Sequence, residues 1–258
     1  MYLSEDISNR DHIRVKIHGG IGNQMYQYAM ARTLADKLSL GLTLDISFYH
    51  GNKGDAIDRT FSLDKFNIRY DALEEISSKK YWCIAIARRS GYLQNKFDIV
   101  FEDNIRTPTL CHPDIREKLL VGYWQNYHYF QDNSENILAD FSIKKPLGKA
   151  SQILLSNISQ RPSVMLHIRR GDYVTSSESG GQHCLIPISY YKKTLDMFPQ
   201  IMASSRLFIF SDDIEWCKKL DIFEGYDTYF VGQSVHREDY EDLHAMASCD
   251  SHIIANSS

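Results

Sequence analysis

Residues 13–47 read IRVKIHGGIGNQMYQYAMARTLADKLSLGLTLDIS. The opening IRVKIH alternates apolar and polar residues, the period of a half-buried strand. Two glycines follow. In the next run Met25, Tyr28, Ala29, Leu34, Ala35 and Leu38 fall near helical spacing. Gly41 is the expected helix stop, and LTLDIS reads as a second strand. Strand, glycine turn, helix and strand make a βαβ unit.

Residues 51 to about 150 show no comparable period. They are rich in aromatic and charged residues, densest in GYWQNYHYF at 122–130. IKKPLGKASQ at 143–152 reads as a linker followed by a new start. After it come three strand signals that end in polar loops. SVMLHI ends in Arg169, Arg170, Gly171 and Asp172; RLFIF ends in Ser211, Asp212 and Asp213; SHIIA ends in Asn256, Ser257 and Ser258. Helical stretches lie between them: ISYYKKTLDMF, DIEWCKKL and EDLHAMAS. Asp212 with Glu215 three residues on is the expected capping box of the second. Alternating strands and helices imply a mainly parallel sheet. In open sheets of that kind ligands bind beyond the carboxyl ends of the strands, where all three polar loops fall.

The 258 residues are 43% hydrophobic and 24% charged, as in an ordinary soluble globular protein. A net charge of −4 gives no global basic surface for nucleic acid, so any anion site must be a local cluster. The polar start MYLSEDISNRDHIR lacks the apolar core of a signal peptide, and no run reaches transmembrane length. Five scattered cysteines without CxxC spacing argue against a disulfide framework and a zinc site. Reduced thiols in a cytoplasmic protein are the expectation.

Arginine donates two parallel hydrogen bonds from a planar fork and stays charged at any working pH, which suits phosphate. Arg169 and Arg170 at a strand end, preceded by His167 and followed by Asp172, suit a diphosphate. The plainer reading is an exposed basic turn paired with a carboxylate. GGIGNQ resembles a dinucleotide fingerprint through Gly20 and Gly22, but the third glycine position is Met25. Such glycines either ease a tight turn or admit close backbone approach to a ligand at a helix N-terminus. Asn23 adds a donor and an acceptor that a simple turn does not need. Asp212 and Asp213 have the wrong spacing for a metal-binding pair, and no metal is expected. Tyr123, Trp124, Tyr127, Tyr129 and Phe130 read first as core or interface packing; a wall for a sugar is the alternative.

Taken together these residues resemble the alpha-1,2-fucosyltransferases of glycosyltransferase family eleven. The matching segments are GGIGNQMYQYAMARTLA, LDIS, GYWQ, HIRRGDYV, FIFSDD, YEDLHAMA and IIANSS, in the family's order along nearly the whole chain. The resemblance implies an α/β, GT-B-like fold: two Rossmann-like domains with mainly parallel sheets facing a cleft. Residues 1–150 would form the acceptor side and 151–258 the GDP-fucose side. It also implies inverting, metal-independent transfer of L-fucose to the 2-hydroxyl of a galactose-type acceptor, with GDP-fucose as donor and no separate cofactor. Carried over, Arg169 would hold the diphosphate while Arg170 and Asp172 organise the loop. Asp212 would face the guanosine. Asn256, Ser257 and Ser258 would line the phosphate or fucose side, and Asn23 would sit at the reaction centre. Family members continue past NSS with a serine- and tryptophan-rich segment and a final helix. The resemblance therefore implies a donor domain incomplete at its C-terminus, with reduced activity.

The expected use of the arginines is leaving-group stabilisation. Negative charge grows on the β-phosphate as the glycosyl bond breaks, and fixed cations bind that charge more tightly than the ground state. Asp45 and His18 stand near strand ends as candidate bases, with structural roles favoured for both. Two other classes remain open: a non-catalytic GDP-sugar or glycan-binding remnant, and a nicotinamide-dependent enzyme, which the missing glycine disfavours. The expected setting is cytoplasmic, with a lipid-linked oligosaccharide acceptor at the membrane face.

Overall fold

The computed structural model describes residues 12–50, 59–75, 86, 99–102, 119–170, 185–232 and 237–256. They fall into two compact units that divide between Lys145 and Pro146.

The first unit is built on five parallel strands in the order β3-β2-β1-β5-β4. These are β1 (His12–Lys16), β2 (Gly41–Asp45), β3 (Ala72–Glu74), β4 (Ile99–Phe101) and β5 (Leu119–Val121). Helix α1 (Ile21–Leu38) crosses from β1 to its neighbour β2, the expected βαβ unit. Ile13 and Val15 on β1 and Ile17 just after it are fully buried, as are Tyr28, Met30, Ala31 and Ala35 on α1. The helix does not stop at Gly41. Its C-cap is Ser39 in the left-handed region, φ 55°, whose N–H reaches back to the carbonyls of Ala35 and Asp36. Gly41 already opens β2. A polar residue two positions earlier satisfies the helix end, so the glycine is not needed there. Helix α2 (Ser134–Asp140) is tied to α1 through Asp140, which accepts from Tyr28 Oη at 2.7 Å and from Arg69 Nε at 2.7 Å.

The second unit has four parallel strands in the order β8-β7-β6-β9. They are β6 (Ser163–Ile168), β7 (Arg206–Ser211), β8 (Thr228–Phe230) and β9 (Ser251–Ile253). Helices cover both faces. Val164, Leu166 and Ile168 of β6 pack with Tyr191 and Leu195 of α4 (Ile188–Met197), Met202 of α5 (Pro199–Ser204) and Cys217 of α6 (Ile214–Cys217). Met165 of β6 and Phe208 and Phe210 of β7 pack with Leu154 and Ile158 of α3 (Lys149–Ile158) and Ala245 of α7 (Asp239–Ala247). Strands buried on both sides read as continuous apolar runs, which is why SVMLHI and RLFIF stand out in the sequence. Among the described residues no helix is long and apolar enough to cross a membrane.

Candidate active site

In the second unit β6 ends at Ile168, which pairs with Ser211. Arg169 and Arg170 therefore leave the sheet beside Asp212 and Asp213. Asp212 bridges the two strand ends. Its Oδ1 accepts the Arg170 backbone N–H at 2.9 Å, and its Oδ2 lies 3.3 Å from Arg169 Nε. Arg170 is held further by Asp213, 3.7 Å from its Nε, and by the Trp216 ring, 4.3 Å below its guanidinium. A cation stacked and bonded in this way anchors the loop. Arg169 keeps 32% of its side chain exposed. Two carboxylates thus position two guanidinium groups at the carboxyl edge of a parallel sheet, where a bound diphosphate would share them.

The capping role expected for Asp212 belongs to Asp213, whose side chain accepts the Trp216 N–H at 3.2 Å. Helix α6 begins at Ile214, one residue too late for a box with Glu215. That shift leaves Asp212 for the arginines. His167 alternates with Leu166 and Ile168, so it faces the Met165 side of the sheet. Burial pushes its imidazole below the ordinary range, the Arg169 charge adds to this, and Asp212 opposes it. Burial and the Arg169 charge both favour the uncharged ring beside the arginines. Asn256 is exposed and lies three residues past Ile253, which pairs with Leu166. Asp172, Ser257 and Ser258 lie outside the described residues.

In the first unit the matching strand end belongs to β1, flanked by β2 and β5. Sequence reading singled out Gly20 and Gly22, yet the conformation that demands glycine is at Gly19, φ +84°. Gly20 is the extended N-cap of α1, and Gly22 lies in its first turn. Beneath the turn are two fully buried glutamines that the apolar pattern missed. Gln24 donates to Gly19 O at 3.2 Å and Thr60 O at 2.9 Å, and accepts from Ser62 N at 2.9 Å. Gln27 Oε1 accepts the His18 N–H at 2.9 Å, which turns its amide nitrogen toward His18 Nδ1 at 3.0 Å. Lys16 O is a weaker neighbour of that nitrogen, at 3.3 Å. His18 Nδ1 is thus engaged within the turn, between the Gln27 amide and Lys16 O, which is a structural placement. Asp45 is buried and accepts the Ser47 N–H at 3.1 Å, a turn-forming role.

Asn23 projects from the first turn of α1, and its Oδ1 accepts from Gln125 Nε2 at 2.6 Å. Gln125 belongs to the aromatic stretch after β5. That stretch divides: Trp124 is fully buried, whereas Tyr123 and Tyr127 are exposed. Trp124 also holds φ +57°. The left-handed region costs an L-residue roughly 1–2 kcal/mol. Strain of that kind collects at functional sites.

The family model for glycosyl transferase family 11 matches residues 12–258. The chain belongs to glycosyl transferase family 11. As a family-11 member it is an enzyme of glycosyl transfer. It is 32% identical over 254 residues to the alpha-1,2-colitosyltransferase of Escherichia coli, across 94% of this chain and 83% of that protein. The galactoside 2-alpha-L-fucosyltransferase Sec1 of Mus musculus is 21% identical, across 93% of this chain and 60% of that protein. The crystal structure of the fucosyltransferase NodZ from Bradyrhizobium is similar at a TM-score of 0.56 with 11% identity, covering 93% of this chain and 83% of that one. A further NodZ crystal, of an alpha-1,6-fucosyltransferase soaked with GDP-fucose, matches at 0.52 with 11% identity over 92% and 82%. The likeness supports a GT-B-like fold built from two parallel α/β units. Among the described residues of this family-11 chain no group of three or more His, Cys, Asp or Glu is placed to hold a metal ion.

Proposed function

We propose that the chain transfers L-fucose from GDP-fucose to the 2-hydroxyl of a galactose-type sugar, with inversion at the anomeric carbon and without a metal ion. The observation that carries this is the Arg169–Asp212 pair at the carboxyl ends of β6 and β7 in a family-11 chain. The mouse relative, a galactoside 2-alpha-L-fucosyltransferase, supports the acceptor, and the NodZ crystal soaked with GDP-fucose supports the donor. In the reaction the bond between fucose C1 and the β-phosphate oxygen breaks, and the acceptor oxygen bonds to C1 from the opposite face. The hydroxyl proton passes to solvent, and GDP carries away the electron pair of the broken bond. Arg169 stabilises the charge that develops on the departing diphosphate. Arg170, stacked on Trp216, keeps that loop in place. Within the second unit Asp212 and Asn256 stand at the strand ends beside Arg169 and would serve the donor; within the first, the Gly20–Gly22 turn and Asn23 at the end of β1 would serve the acceptor. The acceptor is a galactose-containing oligosaccharide; a lipid-linked one would be presented at a membrane face.

A second donor follows from the name of the 32%-identical relative, a colitosyltransferase. One assay separates the readings. The chain is incubated with GDP-fucose or GDP-colitose and a β-galactoside, and the product is examined by NMR. An α-1,2-linked fucosyl product is expected. Transfer of colitose alone would replace the donor, and a β-linked product would overturn inversion. Binding of GDP-fucose by calorimetry with no transfer to any galactoside would favour the binding remnant.

A further inference from the structure

We propose that Glu102 and Gln125 are positioning residues, a clasp that fixes the orientation of the Asn23 amide. The inference rests on the reaction proposed above for its readout in turnover, but the clasp itself is defined by contacts within the first unit. Glu102 is the residue that follows β4. Its Oε2 accepts two successive backbone N–H groups, from Tyr123 and Trp124, each at 2.8 Å. One carboxylate oxygen can reach both only if the chain turns sharply there, and Trp124 does so at φ +57°. Gly122 permits the approach: a Cβ on it would lie 2.5 Å from Glu102 Cβ. The buried Trp124 ring meets Tyr129 edge-on, 5.6 Å between centroids, and locks the turn from below.

The next residue is Gln125, exposed, with its amide nitrogen on Asn23 Oδ1 at 2.6 Å. That donor favours one orientation of the Asn23 amide. Its oxygen points to Gln125, and its nitrogen lies over the Gly19 turn, where a Cβ on Gly19 would be 2.5 Å from Asn23 Nδ2. Asn23 thus presents an N–H donor beside the glycine turn at the carboxyl end of β1, the part of a parallel sheet where ligands bind. The strained, buried Trp124 thus immediately precedes the exposed glutamine that meets Asn23.

The substitution Gln125→Glu keeps the shape but replaces the donor with an acceptor, so the Asn23 amide should turn over. Glu102→Ala releases the turn, and Glu102→Gln keeps an oxygen that can accept both N–H groups. The Asn23 side-chain NH2 resonances, identified by their loss in Asn23→Asp, should shift in Gln125→Glu and Glu102→Ala and return toward wild type in Glu102→Gln. The turnover number should fall roughly tenfold or more in the first two variants, as expected for a displaced positioning group. Donor KM should stay within about twofold. Unmoved amide resonances in Gln125→Glu, an exposed site that should fold normally, would overturn the clasp. Shifted resonances with unchanged turnover would overturn its role in positioning. A wild-type chain that transfers no sugar would overturn the proposed reaction, while the resonances would still decide the clasp.

Discussion

Arg169 is the residue on which the proposed chemistry depends most directly. Arg169→Lys keeps the charge but loses the planar fork and the side-on pairing with Asp212. Turnover at saturating donor should fall about a hundredfold, measured by steady-state kinetics; near-normal turnover would remove Arg169 from the diphosphate site. His167 has a different signature. Its imidazole is held below the ordinary range by burial and then by Arg169. Well above the ordinary imidazole range the ring is uncharged in both folded and unfolded chains and contributes no pH dependence. As the pH falls through that range the unfolded chain takes up the proton first, so stability drops until the folded ring is protonated too. Melting midpoints at pH 7.5 and 5.5 should therefore converge in His167→Gln relative to wild type. At this scale the sequence was only partly legible. The arginine pair is plain because two guanidinium groups at a strand end are unusual. The division of labour between Asp212 and Asp213 is not, since it turns on a one-residue difference in where α6 begins. Buried Gln24 and Gln27 are invisible to any apolar pattern, because hydrogen bonding and not transfer from water justifies their burial.

Length decided much of which elements were legible, although three-residue β9 was read from SHIIA. α1, β6 and β7 have enough residues to display a period. β3, β4, β5 and β8 have three residues each, too few for an alternation, and their pairing comes from neighbouring strands. The junction of α3 and α7 was also hidden. Glu241 is buried and closes a capping box with Glu238, while its Oε1 accepts the Gly148 N–H at 2.7 Å at the start of α3. Burial works to raise this carboxyl, and the N–H bonds from Gly148 and Glu238 more than reverse that. Glu241→Ala should lower stability by about 1–3 kcal/mol, since it leaves donors at two helix ends without a partner. Glu241→Gln should recover part of the loss. Urea denaturation of the three proteins provides the comparison, and an unchanged midpoint in the alanine variant would show that water serves these donors equally well.

For the whole molecule, a net charge of −4 with a local arginine cluster predicts selective binding of a diphosphate and no general affinity for polyanions. GDP at a hundred times its dissociation constant should stabilise the chain by about 2.7 kcal/mol, read as a rise in melting temperature that is absent in Arg169→Ala. Excess EDTA should leave transfer intact; loss of activity restored by Mn²⁺ would overturn the arginine-only account. The parallel character of the second sheet was legible from alternating strands and helices, and that of the β1–β2 pair from its βαβ unit, whereas strand order was not, because non-local pairing leaves no trace in a single segment. One consequence concerns what the gene can tolerate. Arg169, Asp212 and Asn256 arrive from segments far apart in the chain, and the strand ends that carry them lie side by side because β6 pairs in register with β7 and β9. Extra residues in the long connections cost little, since loop closure grows only with the logarithm of length. Removing a single residue from within β6 or β7 would displace its polar end by about 3.3 Å and turn its side chains to the opposite face. Insertions and deletions should therefore be accepted freely between these strands and hardly at all inside them, a pattern that a deletion-scanning library would reveal.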